Sequence, residues 1–174
     1  MKRLVVTTIA MLMINSAYAR GPEPGGRPGG EGGGPGGNAI VAADGTVLIT
    51  SAVIDTAAET ATTTVTAVTS SGVKVWTATI AGHAHFELSG ANLLYVTSAT
   101  AADGTVSSTI NAISTATGTA AWSRTLAGRA GELLPFNGGT YAIVVTPAAT
   151  SGGTATRSLV AVSSSGSVLW TVAL

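Results

Sequence analysis

The sequence predicts an all-β domain built from three copies of one four-stranded antiparallel unit, and three observations predict it. Tryptophan occurs only at Trp76, Trp122 and Trp170, 46 and 48 residues apart, each with a glycine four positions earlier, at Gly72, Gly118 and Gly166. Polar positions are filled mostly by Thr and Ser rather than by Glu, Lys, Gln and Arg, and Thr with Val suits a pleated, half-buried surface better than a helix. Glycine-containing turn pairs punctuate the short apolar runs at regular intervals.

In chain order, the first element is a leader. Lys2 and Arg3 precede an apolar run over residues 4–14, and Ala17-Tyr18-Ala19 supplies an A-x-A site, so residues 1–19 are expected to be a signal peptide cleaved after Ala19. The run holds 11 residues, whereas a membrane-crossing helix needs about 20, so no span is expected after cleavage. These features predict a periplasmic or secreted protein. No cysteine is present, which excludes lipidation behind the leader and any disulfide, leaving apolar burial and strand pairing to stabilise the fold.

Residues 20–37 comprise ten Gly, four Pro, two Arg and two Glu. With no apolar side chain to bury, this segment is expected to be a disordered linker. As a flexible coil it spans about 23 Å root-mean-square. The remaining 137 residues, 38–174, are enough for one domain with its own core. Behind the leader, six basic side chains stand against eight carboxylates, a net of −2 with no basic cluster. Nucleic-acid binding, which needs clustered Lys and Arg to replace phosphate counterions, is thereby excluded.

Each repeat divides into two hairpins. In the first, an apolar segment reaches Asp44-Gly45, Ser89-Gly90 or Asn137-Gly138, pairs that tolerate the positive φ of tight turns. A second strand follows over 47–51, 93–98 or 141–146. Loops such as 55–62 and 147–154 lead to the second hairpin, whose strands lie around Val65, Ile110 or Leu159 and around each Trp, turning at the glycine four residues before it. Four strands per copy make twelve.

The segment Ala112-Ile113-Ser114-Thr115-Ala116-Thr117-Gly118-Thr119-Ala120-Ala121-Trp122 resembles the tryptophan-docking motif of the PQQ-like β-propeller repeat, which sets an Ala, an Asp, a Thr-Gly turn and a Trp at these spacings. Ser114 replaces the Asp, and the other two copies are one residue shorter at the turn. The resemblance implies that each copy is a propeller blade and that Trp76, Trp122 and Trp170, with Gly72, Gly118 and Gly166, are structural inter-blade residues. Quinoprotein dehydrogenases of this family also carry a PQQ pocket with calcium and a catalytic Asp. This chain has no counterpart of that set, so no cofactor and no enzyme activity are carried over.

Propellers typically have four to eight blades, so three make a partial β-propeller with two open ends. The expected partner is therefore a protein or a second copy, in a homodimer that completes a six-bladed ring. The rival fold is a β-trefoil, also three four-stranded copies. Its sugar-binding members carry Q-x-W, whereas Lys74, Ala120 and Val168 stand two residues before the tryptophans.

One cluster has metal-ligand character: His83, His85 and Glu87 alternate with Ala84, Phe86 and Leu88 and would share one strand face. A polar strand face open to solvent accounts for the same pattern. No Gly-x-Ser-x-Gly turn occurs, and none of Asp44, Asp55, Glu59, Glu87, Asp103 and Glu132 is singled out as a catalytic carboxylate. Asp44 and Asp103 read as turn residues ahead of Gly45 and Gly104. The expectation is an exported, non-enzymatic interaction scaffold. The alternative is a carbohydrate-binding or adhesive domain on a flexible stalk, and a metal enzyme using His83 and His85 stands third.

Overall fold

The computed structural model describes residues 38–55, 58, 60–82, 84–148 and 153–174. The leader and linker read into residues 1–37 lie outside the described residues, as does His83. The described chain forms three open four-stranded sheets. The first holds β1 (Asn38–Val41), β2 (Val47–Asp55), β3 (Thr60–Val68) and β4 (Lys74–Ala81). The second holds β5 (Phe86–Ser89), β6 (Asn92–Thr100), β7 (Val106–Ser114) and β8 (Ala120–Ala127). The third holds β9 (Arg129–Phe136), β10 (Gly139–Thr146), β11 (Thr156–Ser163) and β12 (Val168–Ala173). Strands pair antiparallel with their sequence neighbours, and each sheet contains one repeat only. A trefoil would close strands of all three copies into a common barrel, and that partition sets it aside.

The alternation of side chains explains the strands. In β3, Thr63, Val65 and Ala67 are buried while Thr62, Thr64 and Thr66 are half-buried, a period of two. The strands are longer than apolar content alone suggests. The loop expected over 55–62 is largely absorbed, because β2 and β3 stay in register from Val47↔Val68 to Asp55↔Thr60. A run of β-branched Thr satisfies its backbone by pairing even where it has little to bury.

In all three sheets the Trp strand carries a register shift at one repeat position, between Ala67 and Val68, Ala112 and Ile113, and Ala161 and Val162. The adjacent turns differ in width. Gly72 and Gly166 donate to the carbonyl three residues back, at 2.9 and 3.0 Å, whereas Gly118 donates to Ser114, four back, at 2.9 Å. The extra residue of the middle copy is absorbed there.

Two apolar layers join the sheets. Leu48, Val65, Ala67 and Ile80 of the first sheet pack on Leu93 and Ile113 of the second, with Phe86. Leu94, Ile110 and Ala112, on the opposite face of the second sheet, pack on Leu133, Ala142, Val144, Val160 and Val162 of the third. The middle sheet is thus covered on both faces and each outer sheet on one. Buried polar links reinforce the second layer: Ser89 Oγ donates to the Gly139 carbonyl at 2.7 Å, and Ala130 N donates to Ser108 Oγ at 2.8 Å.

Asp44 and Asp103 accept the Thr46 and Thr105 amides at 2.9 and 2.8 Å, which holds both carboxyls below the ordinary value of 3.8. A carboxylate whose folded pKa is depressed contributes stability above its unfolded pKa and loses it as pH falls through the folded one. Acid denaturation followed by circular dichroism is therefore expected to show a small step below about pH 4 that is weakened in the Asp44→Asn, Asp103→Asn double variant. Both groups are solvent-exposed, so the step is expected to be minor beside the loss of the apolar layers.

Candidate functional site

The residues that distinguish this chain gather at the joints between sheets. Directly paired residues share a face. Leu48, Ala67 and Trp76 pair across the first sheet, Leu94, Ala112 and Trp122 across the second, and Tyr141, Ala161 and Trp170 across the third, all at one repeat position. In the first two sheets that face looks onto the next sheet in the chain.

Each of these tryptophans lies over the glycine turn of the following sheet, not over the glycine of its own hairpin. A Cβ on Gly118 would stand 2.5 Å from Cδ2 of Trp76, and one on Gly166 would stand 2.7 Å from Cε3 of Trp122. With φ of +72° and +83°, both glycines also occupy the left-handed region that a side chain makes costly. The indole thus fills the space a Cβ would need.

The two joints differ in their polar bonds. Trp76 Nε1 donates to the Thr115 carbonyl at 2.9 Å, a carbonyl presented by the wider turn of the middle copy. Trp122 Nε1 is buried with no partner among the described residues, and above the narrower turn Arg124 Nε donates to the Gly166 carbonyl at 2.6 Å. A hydroxyl under each connection completes the joint. Thr63 Oγ1 accepts from Ala84 N at 3.3 Å, just ahead of β5, and Ser108 Oγ from Ala130 N at 2.8 Å, at the start of β9. The third sheet carries Arg157 at this position, four residues before Ala161 as Thr63 is before Ala67 and Ser108 before Ala112; its side chain is exposed and its carbonyl accepts from Leu174 N at 2.9 Å.

At the chain's two ends the same parts stand unmatched. Gly72 is exposed, with φ +84° and, among the described residues, nothing within 4 Å of a built Cβ. Trp170 is 43% exposed and Val172 beside it 52%. On this open face Phe136 stacks on Tyr141 at 4.4 Å, and Tyr141 meets Trp170 at 5.6 Å, an aromatic row that the repeat reading of the sequence did not reveal. Its one signal there is Tyr141, standing where the other copies have Leu48 and Leu94.

Of the metal-ligand candidates, His85 and Glu87 line a shallow cleft. His85 precedes β5, so strand alternation does not extend through it, while Glu87 lies within the strand. His85 Nε2 and Glu87 Oε1 are 3.2 Å apart, and the His85 side chain is largely exposed. The cleft, lined also by Val96, Gly131 and Leu133, holds about 50 Å³. That is space for a water or two, well below the ~300–1,000 Å³ typical of a small-molecule pocket. Among the described residues, no three His, Cys, Asp or Glu side chains gather closely enough to hold a metal ion. Of the carboxylates, Asp44 and Asp103 bind their own turns, Asp55 accepts from Ala58 N at 3.0 Å, and Glu59 lies outside the described residues.

No family model matches this chain, and no curated protein does.

Urea unfolding of alanine variants checks the glycine seats. In dilute solution, where single copies are compared, Gly118→Ala and Gly166→Ala are expected to cost about 1–3 kcal/mol more than Gly72→Ala, which within one copy meets only backbone strain. Trp76→Phe is expected to destabilise more than Trp122→Phe, because the first breaks a hydrogen bond worth about 1 kcal/mol and the second removes an unpaired buried donor.

Proposed function

We propose that this chain is an exported, non-enzymatic interaction scaffold built of PQQ-like propeller repeats, whose working surfaces are the exposed outer faces of its first and third sheets. The observation that carries this reading is the mismatch at those faces. One presents a tryptophan with no glycine seat, the other a glycine seat with no tryptophan. An exposed apolar face of this kind marks a site of association, since leaving it in water forgoes about 25 cal/mol for each Å² that could be buried.

Export rests on the charged, apolar and small-residue order of residues 1–19, and the Gly/Pro segment behind it gives the repeats reach from whatever holds them.

A second reading has an observation of its own. Exposed Trp170 with half-buried Tyr141 and Phe136 forms an aromatic surface of the kind on which the apolar face of a sugar ring can lie, which favours a carbohydrate-binding or adhesive domain. Passage over immobilised cellulose, chitin and peptidoglycan separates the two. The scaffold reading expects no retention on any of them. Retention that Trp170→Ala abolishes, with the fold intact by circular dichroism, would transfer this face to the sugar.

A further inference from the structure

We infer that the occupant of both outer faces is a second copy of this chain, with Trp170 of each copy seated on Gly72 of the other, closing two three-sheet stacks into one ring. This rests on the scaffold reading and names its partner.

The empty seat has the form of an occupied one. In the turn under Trp122, Ser163 N donates to Ser167 O at 2.8 Å and Gly166 N to Ser163 O at 3.0 Å, with Gly166 at φ +83°. In the turn at Gly72, Thr69 N donates to Val73 O at 2.8 Å and Gly72 N to Thr69 O at 2.9 Å, with φ +84°. The two turns share their bonds, width and handedness, so an indole that fits one fits the other.

The surfaces around these parts also correspond. Leu93 and Ile113, a directly paired couple on the rear of the second sheet, are buried against the first sheet. The matching couple on the rear of the first sheet is Val47 and Val68, only half-buried, with Val41 paired to Val47 and 63% exposed. Opposite, the third sheet offers Tyr141, Trp170 and Val172 where the first two sheets offer Leu48, Trp76 and Ala78, and Leu94, Trp122 and Arg124. At these positions both open faces present apolar side chains, flanked on the first sheet by Thr66 and Thr77.

Copy number follows from ring size: propellers close with about four to eight sheets, and of the multiples of three only six falls in that range. Each joint is head-to-tail, and a two-fold axis relates the pair, so the assembly closes instead of growing.

The test is light scattering of the full chain across a dilution series, with two variants. Gly72→Asn adds a side chain at a positive φ that asparagine tolerates, in space empty within one copy, and Trp170→Ser removes the indole. The chain itself is expected at twice its own mass. Each variant alone is expected to weaken pairing about ten-fold or more, as loss of a buried aromatic anchor does. Mixed together, they restore one intact joint, Trp170 of the Gly72→Asn chain on Gly72 of the Trp170→Ser chain, and are expected to pair at concentrations where each alone is a monomer. Circular dichroism of both variants reports that they fold.

A monomer at every concentration overturns the self-pairing, as does a dimer indifferent to Gly72→Asn. A mass that grows without limit overturns the closed ring. The scaffold reading falls separately, to polysaccharide retention through Trp170.

Discussion

A flat indole laid against a turn that has no Cβ is the contact on which the remaining packing depends. Trp76 and Trp122 occupy space that any side chain at Gly118 or Gly166 would claim, so the seat admits glycine alone. The same glycines turn with positive φ, so one residue type satisfies both the backbone and its neighbour. Once the indole is seated, the paired residues behind it face the next sheet at a fixed register. Leu48 and Ala67, then Leu94 and Ala112, are thereby committed to the layers they bury in.

That arrangement lets a cysteine-free chain with few charges hold together. Each layer buries aliphatic side chains from two sheets; hydroxyls bind the connections, Thr63 at one and Ser108 at the next, while Trp76, Ser89 and Arg124 donate to backbone carbonyls of the following sheet. Ser and Thr also close the turns on themselves. Thr69 Oγ1 accepts the Val73 amide at 3.1 Å, and Ser163 Oγ accepts the Ser167 amide at 3.1 Å. The hydroxyl-rich composition is therefore used in strands, turns and connections alike.

The repeat, the four strands per copy and the turn positions were legible in the sequence because tryptophan and glycine are rare enough in their roles to mark a period. Strand length was less legible. The Thr-rich ends of β2 and β3 lack apolar side chains, and their pairing is a backbone matter that composition does not report. Nor does spacing say which glycine a given tryptophan meets. Trp76 lies four residues from Gly72 but seats on Gly118, since a strand carries its side chains across to a neighbouring sheet and not back onto its own turn. The row of Phe136, Tyr141 and Trp170 was hidden for a related reason: three strands contribute one residue each. The pairing of His85 with Glu87 matches their closeness in sequence, although His85 falls before the strand that was expected to carry it.

The three indoles are unequal in a way a single experiment reads. Hydrogen exchange of the three tryptophan side-chain N–H groups, followed by nuclear magnetic resonance in dilute solution, tests whether seating on glycine is what holds the sheets. Slow exchange is expected at Trp76, bonded to the Thr115 carbonyl, and at Trp122, buried without a partner among the described residues, with fast exchange at Trp170. Exchange at Trp76 and Trp122 as fast as at Trp170 would contradict it, because an indole open to water cannot be the wedge between two sheets.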